Sequence, residues 1–152
     1  MMSMAVQPMI TNSNITVYNK YVVAGVEKFQ RTQITNVKWE NRKASNVMRS
    51  GLLAADSVAL YIPMQRGANY VKPKAWQALV TKTSKWTLQD GDYVVKGLVT
   101  DEIKEAVTTP TPIAAFTVTM LKAKYDDVVM IKSVDTLDSG SIELQHFQAG
   151  AS

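Results

Sequence analysis

One short strand caught between two reversals constrains this sequence most. Residues 86–97 read Trp-Thr-Leu-Gln-Asp-Gly-Asp-Tyr-Val-Val-Lys-Gly. Asp90-Gly91 supplies positive φ cheaply at a tight turn. Tyr93-Val94-Val95 is β-rich, and Lys96-Gly97 breaks it again. Chains assembled from such pieces close into small β-barrels or sandwiches.

The remaining segments carry the same signature. In residues 15–23, Ile15, Val17, Tyr21 and Val23 share one face, while Thr16, Tyr18 and Lys20 share the other. This period of two predicts a strand with one wet side. Ala24-Gly25 turns the chain into a longer β segment over 27–39. There Phe29 is in phase with Val37 and Trp39 but Ile34 is not, and a bulge near 32–36 reconciles them. Residues 57–62 alternate again until Pro63, which donates nothing to a ladder. Val128-Val129-Met130-Ile131 is continuous and apolar, the mark of a strand buried on both faces at the centre of the barrel. After a turn at 138–141, Ile142, Leu144 and His146 alternate in a last strand.

Two segments depart from the β pattern. Pro73 suits a first helical position, and Ala75, Trp76, Leu79 and Val80 form an i, i+3, i+4 stripe, which predicts a short helix over 73–82. Residues 113–125 fit both periods, and we favour a second helix over 117–124. Residues 98–111, with Asp101, Glu102, Glu105 and a Thr-Thr-Pro-Thr-Pro run, read as a connection holding one short strand at most. Residues 40–50 are too polar for a core and too long for a hairpin turn, a length unusual unless the excursion has a job. The expected class is mainly β: a flexible N-terminal arm over 1–13, a single β-barrel domain with long loops over 14–148, and a tail over 149–152. Four of the eight methionines fall in the first nine residues, which suits a flexible arm that packs on a neighbour, with a frayed terminus as the default reading.

The 152 residues fit one domain. With no cysteine, disulfides, thiolate metal sites and cysteine nucleophiles are excluded. No apolar run suits a membrane helix, and no basic residue precedes an apolar core as in a signal peptide. Neither a Gly-x-x-x-x-Gly-Lys loop nor a Gly-x-Ser-x-Gly elbow occurs. His146 is the one histidine, and nothing nominates its partners in a triad. Asp90 with Asp92, and Asp126 with Asp127, read as turn chemistry. We therefore expect no enzyme, catalytic residue, cofactor or metal. The net charge of +4 is scattered rather than gathered on one face. Trp39 is a candidate for subunit contact, with core packing as its default. Arg42, Lys43, Arg49, Arg66, Lys72 and Lys74 lie in or beside the long loops and are candidates for partner contact. A second reading is an OB-type barrel binding single-stranded nucleic acid on a platform of Tyr18, Tyr61 and Tyr93.

Taken in order, "ITNSNITVYNKY", "TQITNVKWENR", "GLLAADSVALYIP", "VKPKAWQAL", "WTLQDGDYVVKG" and "YDDVVMIKSVDTLDSGS" resemble a family of small neck proteins of tailed bacteriophages and prophages. These are described as minor capsid, head-closure, head-to-tail connector or stopper-like subunits. The pattern covers most of residues 10–147, and its ordered set is more specific than any one motif. The resemblance implies a small β-barrel that forms a homo-oligomeric ring at the head–tail junction of a virion, having been made in the host cytoplasm. It implies portal or adaptor and tail proteins as partners, double-stranded DNA passing through the channel, and no membrane. A tail-terminator or other tail-associated ring protein is the alternative within that setting. The 101–111 segment departs from the family pattern, being longer and more acidic than a tight hairpin.

Overall fold

The computed structural model describes residues 11–42, 57–64 and 68–152. Strands β1 (Ser13–Val23) and β2 (Val26–Arg42) form one long hairpin. Its turn is Ala24-Gly25, with φ of 52° and 80°, the left-handed pair that matches the twist of the flanking strands. The bulge expected in β2 is present. Ser13 pairs with Val37 but Ile15 with Ile34, so β2 carries one extra residue there, and Asn36 takes a φ of 58°. That extra residue brings Ile34, Val37 and Trp39 into the same core.

Four more strands follow: β3 (Ser57–Pro63), β4 (Tyr93–Lys96), β5 (Val128–Leu137) and β6 (His146–Ala151). All neighbours are antiparallel, and the sheet closes as a barrel in the order β1-β2-β3-β6-β5-β4. The interior is filled by Ile15, Val17, Leu60, Ile62, Val94 and Ile131. Tyr70, Trp86 and Phe147 extend it as an aromatic cluster with ring centroids 4.3–6.0 Å apart. Among the described residues there are two short α-helices, α1 (Pro73–Ala78) and α2 (Val118–Lys124). The α2 start is set by Thr117, whose side chain accepts from the Met120 amide.

Several expectations need correction. Over Ile15–Asn19, β1 has no wet side: Thr16 and Tyr18 are as buried as Ile15 and Val17, because residues 97–125 fold over the outer face. The first helix stops at Ala78 instead of 82. Only Trp76 is buried in it, while Ala75 and Val80 of the expected stripe are exposed. Trp76 anchors it by donating its indole N–H to the Lys85 carbonyl at 3.1 Å. In β5, Val128, Val129 and Met130 are only half-buried, and a closed barrel gives no strand a central place. Residues Ile142–Leu144 form a 3-10 turn with Ile142 and Leu144 exposed, and the last strand lies further along. It takes in residues expected as a tail, with Phe147, Ala149 and Ala151 turned inward. Small residues permit this: a Cβ on Gly150 would stand 2.8 Å from Ser133 Oγ of β5. At the other end, two residues of the arm expected over 1–13 belong to the fold: Asn12 bonds Val37 and Trp39, and Ser13 opens β1. Residues 1–10 and most of the 40–50 excursion lie outside the described residues.

Candidate assembly surface

The Trp86–Gly97 stretch organises the barrel through a buried polar knot. Gly91, at φ 93°, carries the turn and places Asp92 against β1. Asp92 is 0% exposed. Its carboxylate accepts from the Lys20 amide at 2.9 Å, Asn19 Nδ2 at 2.7 Å, the Gln89 amide at 3.0 Å and Gln89 Nε2 at 3.1 Å. Asn19 also clasps residue 87, donating to the Thr87 carbonyl at 2.7 Å and accepting from its amide at 3.1 Å. Burial pushes the Asp92 carboxyl up to about 6, against the opposing pull of these donors. Turn chemistry, the sequence reading, is therefore right for Asp92, with burial added.

Beyond Gly97 the chain leaves the barrel as an arm, residues 98–117, pinned at its base. Thr16 Oγ1 donates to the Gly97 carbonyl and accepts from the Val99 amide, both at 2.8 Å. The Val99 carbonyl accepts from Arg31 Nη1 at 2.8 Å and Gln33 Nε2 at 3.0 Å. Tyr18 gives its hydroxyl to the Asp101 carbonyl at 2.6 Å, and burial pushes that phenol's pKa up. Lys124 and Tyr125 hold the Asp101 carboxylate, which their hydrogen bonds keep below the usual carboxylate range. Past this base the arm doubles back through bridges between Lys104 and Phe116 and between Val107 and Ile113. Its far end, residues 108–112, is exposed.

Between the arm and the tip of the β1–β2 hairpin lies an open groove of about 820 Å³. Phe29, Ile103, Val107 and Phe116 give it apolar walls, and Glu27, Lys28, Lys104 and Glu105 balance its charge. Val22, Val23 and Val26 at the hairpin tip, with Val107 and Ile113 on the arm, are large apolar side chains exposed to solvent. Apolar exposure gathered on projecting elements marks contact surfaces.

A model of a protein family of unknown function, DUF6751, matches residues 10–152. This chain belongs to the DUF6751 family. Among curated proteins and among solved structures, none matches it.

The candidate contact residues of this DUF6751 chain do not converge. Trp39 is 4% exposed in the barrel core, which removes its ring from any contact surface. Arg42 is exposed at the end of β2, but its guanidinium already donates to Glu40 at 2.8 Å and to the Tyr61 hydroxyl at 2.6 Å. Lys72 and Lys74 are exposed at the start of α1. Lys43, Arg49 and Arg66 lie outside the described residues. The three tyrosines form no platform either: Tyr18 is sealed under the arm, and Tyr61 lies on β3, not adjacent to β1 or β4. His146 Nδ1 lies 2.9 Å from the Leu144 carbonyl and its ring 5.8 Å from Tyr61. The residues that build the surface instead come from the hairpin tip and the arm. Their signal in the sequence was the length of the 98–117 connection.

Proposed function

We propose that this chain is a structural subunit that assembles into a ring, at the neck of a tailed-phage virion. One observation carries the assembly reading: a barrel closed on itself presents a projecting arm with a pinned base, an exposed end and an adjoining groove. A rigid scaffold with adaptable projections suits repeated symmetric contacts, each of them weak. The virion location rests on the ordered sequence resemblance. In this reading the partners are further copies, portal or adaptor and tail proteins, with double-stranded DNA passing through the channel.

The test is to image particles of the phage or prophage that encodes the chain and to assay their protein content. The expected result is a ring of this chain at the head–tail junction. Its absence from purified particles overturns the virion reading. A location at the head-proximal end of the tail tube would favour the tail-terminator alternative. The scattered charge predicts that basic side chains do not crowd the channel, since a uniformly basic lumen would grip DNA through counterion release.

A further inference from the structure

The barrel closes its sheet only as far as its shorter strands reach. On β1, β4 pairs with Ile15 to Tyr18; on β2, β3 pairs with Lys38 to Arg42. The hairpin projects beyond both. In an antiparallel ladder, alternate residues turn their N–H and C=O to opposite sides. Lys20 turns both away from β2, toward Asp92, Gln77 and Gln89. The odd-numbered residues of β1 therefore bond to β2, and Glu27, Phe29, Arg31 and Gln33 direct their backbone groups outward. Of these, the Arg31 carbonyl accepts from Gln30 Nε2 at 3.3 Å. Among the described residues no strand pairs with this edge.

The groove lies along that edge. One wall is Glu27, Lys28 and Phe29 of β2 with Tyr21 of β1, and residues 103–118 make the other. A bare strand edge facing an apolar wall is the setting in which a single extended segment adds to a sheet. We propose that the groove takes residues 1–10 of a second copy of this chain.

That segment, Met-Met-Ser-Met-Ala-Val-Gln-Pro-Met-Ile, has no charged side chain, which suits a groove whose two lysines and two glutamates balance. Its methionines adapt to irregular apolar walls. Reach decides whose segment it is. Asn12 is held beside Val37 and Trp39, while the groove lies by residues paired with Lys20 to Val22. Along β1 that separation is roughly 26–33 Å at about 3.3 Å per residue. In the same copy only residues 1–4 reach that far even when fully extended at about 3.6 Å per residue, so its residues 5–10 cannot seat in the groove. A neighbour's segment has no such limit. The inference rests on the assembly reading only in that copies meet, and it needs no virion.

The cysteine-free sequence makes cross-linking clean. Met4→Cys and Lys28→Cys chains, made separately and mixed under mild oxidation, are expected to give a heterodimer on a non-reducing gel. Lys28→Cys mixed with Leu137→Cys is expected to give none. In parallel, a fluorescent peptide of residues 1–10 is expected to bind a variant lacking residues 1–9. Glu27→Pro removes an outward N–H without touching the β1 ladder, and Ala106→Arg fills the slot. Each should weaken peptide binding at least tenfold while far-UV and near-UV spectra stay unchanged. Cross-linking confined to a Met4→Cys, Lys28→Cys double variant of one chain overturns the second copy as donor. Absence of both cross-link and peptide binding overturns the site, and leaves the virion test above unaffected.

Discussion

β1 and β2 both outrun the strands beside them, and the chain treats the two bare edges in opposite ways. At Lys20 the edge of β1 is closed by side chains, with Asp92 taking the amide and Gln77 and Gln89 serving the carbonyl. At Glu27 and Phe29 the edge of β2 is open against a groove. The difference follows from depth. A buried backbone group without a partner is costly, so the edge beside the core must be satisfied from within. The edge at the exposed tip can be served by water or by another chain, and an open strand edge is a ready template for one. The closed edge thus belongs to stability and the open edge to contact.

The largest expected effect lies at the closed edge. Asp92→Ala leaves the Lys20 and Gln89 amides without their acceptor. Each orphaned buried donor costs about 1–3 kcal/mol. Losing the buried charge offsets part of this at neutral pH. Urea unfolding should therefore show a net loss of about 2–3 kcal/mol at pH 7, and a larger loss at pH 5. A loss below 1 kcal/mol at both would break the contrast between the edges.

The pH dependence sharpens the same point. The Asp92 carboxyl is raised from 3.8 to about 6 in the folded chain, so the folded state holds this proton more tightly than the unfolded one. Its stabilising contribution is fully present below pH 3.8 and is lost as pH rises to about 6, with no further change above. The amplitude is on the order of 3 kcal/mol. Unfolding free energies of the wild type and Asp92→Asn, compared at pH 4, 5 and 7, should diverge in that sense. A difference that stays constant with pH would show that Asp92 titrates normally.

A smaller effect is expected where the arm leaves the barrel. Thr16→Val keeps the shape of the side chain but removes its bonds to Gly97 and Val99. The expected cost is about 1–2 kcal/mol, since the buried Val99 amide loses its acceptor. Hydrogen exchange should rise at Val99 before it rises at Val17. Equal protection at both would mean that the arm and barrel open as one unit.

Much of the barrel was legible because its strands obey period two and its turns carry their own chemistry. Ala24-Gly25 and Asp90-Gly91 fall where the left-handed turns are, and the phase slip at Ile34 located a real bulge. Burial was read less well. Tyr18 and Thr16 sit in the polar phase of β1, yet the arm covers them, and no local pattern reports what a segment 80 residues away will cover. Asn19 held a clue: it shares the inward phase of Ile15 and Val17, and a polar residue there calls for a buried partner. That partner is Asp92, which alone looked like an ordinary turn residue. The positively charged loop residues drew attention by charge, whereas the groove depends on which backbone edges are left unpaired. Strand pairing decides that, and side-chain composition does not encode it.

The smallest effect is expected at the open edge, and it completes the contrast. Glu27 is exposed, and its side chain makes no hydrogen bond or ion pair among the described residues. Glu27→Ala should change the unfolding free energy by less than about 0.5 kcal/mol, as for a surface site without special contacts. The measurement belongs at low protein concentration, where copies are apart. If the edge serves contact between copies, raising the concentration should add a stability term that Glu27→Pro lacks, because association stabilises by mass action. A Glu27→Ala cost near that of Asp92→Ala at low concentration would mean that the open edge also holds the single chain together.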